Sequence, residues 1–283
     1  MASLEEIYKS YTRCINEERW QDLPTFVSFP LDLNGERIET PEAMADKIKA
    51  PGGRLRLETD AITVDETAQR LAASELVKLQ DVGDGGDKTA EFTQQSIFWA
   101  ADGKISRIAT VSDDEALQRQ LSDPSYVAAP HDLIRNDDNA TTVTETGMKL
   151  SAPELNDAYR AYNRCFNERT TERDFPTFCH EHVVHNAKRL SLDEYRRPAE
   201  AAFAVVPDLV LGIDALVADA AAQRVVVRIE LAGTPVAELA GAKPTGRSVR
   251  FFEHATYDYR DGKIERVRSI IDWKSYRREL SQE

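Results

Sequence analysis

Four of the five histidines in this 283-residue chain, His180, His182, His185 and His254, lie in its second half, and His131 stands between the halves. Imidazole titrates near neutrality without help, so a proton-moving pocket is expected in that half. Beside His254 stands Glu253, inside the run FFEHATYDYR (251–260). Strand alternation puts Phe251, Glu253, Ala255, Tyr257 and Tyr259 on one face and Phe252, His254, Thr256 and Asp258 on the other. One β-bulge would exchange the faces. Buried among Phe251, Tyr257 and Phe203, Glu253 would have its pKa raised toward that of a useful base. Left on the surface it would pair with Arg250 or Arg268. Tyr162, on a helix, is a candidate phenol donor. Tyr159, Phe166, Phe203, Tyr257 and Trp273 could line a cavity for a flat ligand or pack a core.

Two motifs imitate chemistry. His180 and His182 share a strand face, as a zinc pair would, but no third and fourth ligand follow at a recognisable spacing, so no metal is expected. GAKPTGRS (241–248) nearly fits a phosphate loop, yet has Arg247 where lysine is required and leads into a strand. It reads as a hairpin loop.

The elements that must hold these residues occur twice. Asp261-Gly262 supplies the turn of a long hairpin at 251–273, and the same DGKI turn stands in an earlier hairpin at 91–113. YKSYTRCINE (8–17) returns as YRAYNRCFNE (159–168), and Pro24-Thr25-Phe26 as Pro176-Thr177-Phe178. Asn34 pairs with Asn186, Asp60-Ala61 with Asp214-Ala215, and Asp113 with Asp272. This is a duplication with small insertions in the second copy. Helices are predicted over residues 4–19, Pro41–Lys49, Glu115–Leu121, Asp193–Val205 and Trp273–Leu280. Strands are predicted over Arg54–Thr63, Gln69–Gln80, Arg224–Gly233 and both hairpins. Asp113 and Asp272 are read as helix N-caps. Helices followed by consecutive strands imply an α+β layer with a mostly antiparallel sheet. Two domains are expected, 1–122 and 150–283, joined by a linker over 123–149 whose sequon Asn139-Ala140-Thr141 is expected to be unused.

Bulk properties exclude several classes. Net charge is −13, which argues against a nucleic-acid backbone or anionic membrane as partner. No apolar run approaches the ~20 residues that span a bilayer, and MASLEEIYKS lacks the apolar core of a secretory signal. Cys14, Cys165 and Cys179 show no disulfide or metal spacing and read as reduced core thiols. A cytoplasmic protein is expected.

The second copy resembles SnoaL-like polyketide cyclases of the nuclear-transport-factor-2-like superfamily. The resemblance rests on FNER (166–169), VVHN (183–186), VPDLVLGIDALVAD (206–219), RVVVRIELAGT (224–234), AKPTGRSVRF (242–251) and 257–264. The first copy resembles the family through the second and through its DGKI hairpin. The resemblance implies two tandem cones, each a curved sheet around a pocket closed by its amino-terminal helix, and a pseudo-dimer made within one chain. It also implies cofactor-free cyclisation, dehydration or isomerisation of a polyketide-like or aromatic small molecule, with no metal. The family's catalytic acid, eight positions after the turn aspartate, is Ser269 here and Thr110 in the first copy. The role then falls to His185 or Glu253 as base and to Tyr162 or His254 as donor, with Asn186, Phe203, Tyr257, Ser269 and Trp273 against the substrate. The first copy, with Leu33 and Gln94 at the matching places and Gln95 opposite His254, is expected to be degenerate. A non-catalytic binding or assembly module is the alternative.

Overall fold

The structure, a computed structural model, describes residues 2–49, 54–82, 88–123 and 147–281. Most of the expected linker, with His131 and the sequon, lies outside them. The chain divides into two compact units, Met1–Asp138 and Asn139–Glu283.

In the first unit, helix α1 (Leu4–Asn16) is followed by a 3-10 turn (Trp20–Thr25), strands β1 (Val27–Leu33) and β2 (Glu36–Ile38), and helix α2 (Pro41–Ile48). Strands β3 (Arg54–Asp65), β4 (Arg70–Val82), β5 (Lys88–Ala101) and β6 (Lys104–Ser112) then lead into helix α3 (Asp114–Ser122). The second unit repeats the order. It runs α4 (Ala152–Asn167), α5 (Thr171–Phe178), β7 (Cys179–His185), β8 (Lys188–Ser191), α6 (Leu192–Val205), β9 (Val210–Asp219), β10 (Arg224–Gly233), β11 (Val249–Arg260), β12 (Lys263–Ile271) and α7 (Trp273–Ser281). The sheets are open and six-stranded, in the orders β2-β1-β6-β5-β4-β3 and β8-β7-β12-β11-β10-β9. Among the described residues only the β1–β6 and β7–β12 pairs are parallel.

The repeated residues do the same work in both units. Ser3 and Ser151 begin α1 and α4 with a capping box, closed by Glu6 and Glu154. Asn16 exchanges two hydrogen bonds with the backbone of Leu57 (2.9 and 2.7 Å), and Asn167 does so with Leu211 (3.0 and 2.8 Å). Each first helix is thereby fastened to the edge strand of its sheet. Lys104 and Lys263, from the DGKI turns, donate to the carbonyls of Pro24 and Pro176. Asp102-Gly103 and Asp261-Gly262 all take positive φ, as two-residue hairpin turns demand. Asp113 and Asp272 accept from the amides of Ala116 and Ser275 at the starts of α3 and α7, as expected of N-caps.

Each unit has its own core. Tyr8, Tyr11, Ile15, Leu23, Met44 and Phe98 belong to one cluster, and Tyr159, Tyr162, Phe175, Tyr195, Tyr257 and Tyr276 to the other. Cys14, Cys165 and Cys179 are buried free thiols. No described helix is long and apolar enough to cross a membrane.

Candidate functional site

A cavity of about 190 Å³ lies in the second unit, between one face of its sheet and helices α4, α6 and α7. Strand β11 pairs with β12 in unbroken register from Glu253–Ile271 to Asp258–Arg266, and the irregularity comes only after Asp258. The alternation read from sequence therefore holds where it matters. Phe251, Glu253 and Tyr257 face the cavity, and β12 contributes Val267, Ser269 and Ile271. His185, the last residue of β7, pairs with Val267 and reaches the cavity from the neighbouring strand.

Ser269 stands between the two titrating groups. Its hydroxyl lies 3.2 Å from Nε2 of His185, and it also hydrogen-bonds the Glu253 carboxyl. Burial disfavours whichever form is charged, so the two neighbours move in opposite directions. The Glu253 carboxyl is pushed up from 4.5 to about 7, with the Ser269 hydrogen bond a smaller, opposing effect. The His185 imidazole is pushed down from 6.5 to about 4. At neutral pH His185 is thus an uncharged hydrogen-bonding group, while Glu253 is poised between its two forms. Among the described residues no lysine or arginine lines the cavity.

The wall is phenolic and aromatic. Tyr162 and Tyr195 join their hydroxyls at 2.7 Å, and the Tyr195 ring meets His185 edge to face, centroids 5.5 Å apart. Tyr159 packs its ring on Tyr257, with centroids 5.0 Å apart. Burial holds all four phenols above their usual pKa, so each remains protonated and able to donate. Phe166, Phe203 and Trp273 complete the apolar part of the lining.

Of the residues singled out from sequence, the cavity thus gathers His185, Glu253, Tyr162, Phe203, Tyr257, Ser269 and Trp273. Two lie elsewhere. His254 is fully buried on the opposite sheet face, where Nη1 of Arg228 donates to its Nε2 at 2.9 Å. Asn186, in a left-handed turn, spends its amide on the backbone of Ser269, accepting from N (2.9 Å) and donating to O (3.1 Å). It holds the strand that carries Ser269 rather than lining the cavity. His180 meets the carbonyl of Arg260, and among the described residues no three histidine, cysteine or acidic side chains converge as a metal site would.

Tyr195 was not singled out from sequence, although a signal was present. Ser191 and Glu194 form a capping box that fixes the phase of α6. Tyr195, Ala199, Ala202 and Val206 then recur at helical spacing on the cavity side.

The matching interior of the first unit is built differently. Gln94 pairs with Ser112 as Glu253 pairs with Ile271, and Glu75 faces Gln94 as Ile229 faces Glu253. Glu75 is buried and accepts from the Tyr8 hydroxyl (2.8 Å), Gln94 Nε2 (2.8 Å) and the Ser96 hydroxyl (3.0 Å). Burial raises its pKa against those hydrogen bonds. Matching the repeats position by position sets Gln94 and Gln95 against Glu253 and His254 and leaves this carboxyl out, because Glu75 lies on the neighbouring strand, opposite Gln94.

Residues 156–280 match the family profile described as SnoaL-like polyketide cyclase. The chain is similar to a solved SnoaL-like polyketide cyclase from Agrobacterium tumefaciens. Identity is 35%, the match covers 45% of this chain and 98% of that one, and the TM-score is 0.42. It is also similar to TsrD from Streptomyces laurentii, at 20% identity over 47% and 98% of the two chains with a TM-score of 0.43. AclR from Streptomyces galilaeus matches at 20% identity over 44% and 94%, with a TM-score of 0.39. No curated protein matches the chain.

Proposed function

Given that the chain belongs to the SnoaL-like polyketide cyclase family, we propose that its second unit is a cofactor-independent acid–base catalyst. It would act on a polyketide-like or aromatic ketone by cyclisation, dehydration or isomerisation. The observation that carries this reading is Glu253, a carboxyl in an aromatic cavity with its pKa raised to about 7. A base is most effective when its pKa lies near the working pH, so Glu253 suits abstraction of a C–H proton beside a carbonyl. His185, neutral at that pH and joined through Ser269, orients the carboxyl and offers a route by which its proton returns to solvent. The phenols supply neutral donors to the oxygen on which negative charge develops. In this proposal the first unit, with Leu33 and Gln94 at the matching places, is a degenerate copy. Neither His254 nor Asn186 touches the substrate.

Proton abstraction can be measured before the natural substrate is known. Aryl 1,3-diketones incubated in D2O should exchange their acidic C–H faster with the protein than without it, as read by mass spectrometry. A positioned base contributes roughly 10²–10⁴-fold, so Glu253→Gln should lose most of that acceleration while remaining folded. Tight binding of the diketones with no exchange above the solvent rate would replace this reading with that of a binding module.

A further inference from the structure

The duplication shows what one buried hydroxyl lacks. Tyr8 and Tyr159 occupy the same place in the two first helices. In the first unit the Tyr8 hydroxyl has two partners, Oε1 of Glu75 at 2.8 Å and the Thr59 hydroxyl at 2.9 Å. Strand register identifies the counterparts of both. Thr59 pairs with Glu75 across β3 and β4, and Ile213 pairs with Ile229 across β9 and β10. Both polar partners are therefore isoleucines in the second unit, yet the tyrosine is kept. Its hydroxyl is fully buried and has no partner in good hydrogen-bonding geometry, with only the Tyr257 hydroxyl, also in the cavity wall, beside it. Tyr159 and Ile229 both line the cavity.

Leaving a buried hydroxyl unpaired costs about 1–3 kcal/mol, so such groups call for an explanation. We propose that Tyr159 is the seat for an acceptor oxygen of the ligand, a carbonyl of a neutral aromatic ketone, which takes the place that the Glu75 carboxylate holds in the first unit. Replacing Glu75 by Ile229 removes the internal acceptor and puts an apolar side chain of the cavity wall in its place. The carboxyl reappears one strand away as Glu253, on the same rung of the sheet. A carbonyl oxygen held by Tyr159 brings the adjoining carbon toward that carboxyl. Tyr162, by contrast, has its hydroxyl engaged by Tyr195. The inference rests on the cavity of the second unit being the ligand site, but not on Glu253 being a base.

Two measurements on the full chain test it. The first is affinity for 1-tetralone against tetralin, the hydrocarbon of similar shape that lacks the oxygen. One neutral hydrogen bond made in a dry cavity should favour the ketone about five- to tenfold. Tyr159→Phe should abolish that preference and leave tetralin binding unchanged. The double variant Ile229→Glu with Glu253→Gln, which rebuilds the first unit's rung, should lose the preference as well. Glu253→Gln alone should keep it even when proton exchange is gone, which separates this inference from the catalytic one. The second measurement needs no ligand. Tyr159→Phe should leave the melting temperature unchanged or raise it, whereas Tyr8→Phe, which strands Glu75 and Thr59, should lower it. A ketone preference that survives in Tyr159→Phe, no preference in the unaltered chain, or a loss of stability in Tyr159→Phe equal to that in Tyr8→Phe would each overturn the proposal.

Discussion

Glu253 and His185 are separated by one serine hydroxyl, and burial gives them opposite pH dependences. A carboxyl raised to about 7 in the fold from 4.5 contributes stability that is complete below 4.5 and lost as pH rises through 7. An imidazole lowered to about 4 from 6.5 binds fewer protons folded than unfolded, so stability rises with pH between those values. In the unaltered protein the two slopes oppose each other. Single substitutions should expose them. Glu253→Gln should show melting temperatures that climb between pH 4 and 6.5, and His185→Gln should show melting temperatures that fall between pH 4.5 and 7. Flat profiles in both variants would mean that neither group is buried as described. In activity the same carboxyl should give a rate that rises with pH around 7, since the base must be ionised to accept a proton.

At the scale of elements, the site depends on how β12 is held against β7. Asn186 bonds both backbone groups of Ser269, and Asn34 reaches the amide of Thr110 (2.7 Å) in the first unit. Both asparagines sit in the left-handed region, which suits asparagine better than most residues. Asn186→Ala and Asn34→Ala should each cost about 1–3 kcal/mol in chemical denaturation. Only Asn186→Ala should also lower proton exchange, because it alone shifts the serine between His185 and Glu253. Equal loss of exchange in both variants would show that the clasp acts on folding and not on the site.

For the whole molecule, each unit encloses a separate core. Leu23 is fully buried in the first cluster, and truncating such a leucine typically costs 2–5 kcal/mol. Leu23→Ala should therefore speed hydrogen exchange across β1 to β6, and the affinity of the second unit for 1-tetralone should stay the same. A parallel loss of ketone binding would contradict a division of labour between the two units.

The duplication, the helix and strand positions, the two aspartate N-caps and the DGKI turns were legible in the sequence, because all are local. Each depends on a few neighbouring residues whose spacing repeats at matched positions, such as Asp113 with Asp272 or Asn16 with Asn167. The inward face of β11 was legible too, since alternation alone fixes it when no bulge intervenes. Other features required tertiary structure because they depend on residues far apart in the chain. Ser269 touches His185 only because β12 runs beside β7. Tyr195 meets Tyr162, 33 residues away, only because the fold brings α6 and α4 to the same cavity. The exchange of Glu75 for Ile229 and of Gln94 for Glu253 is invisible to a comparison made position by position. It appears only when strand register shows that both pairs occupy the same rung, since a sheet brings side chains together across strands and a sequence orders them along one.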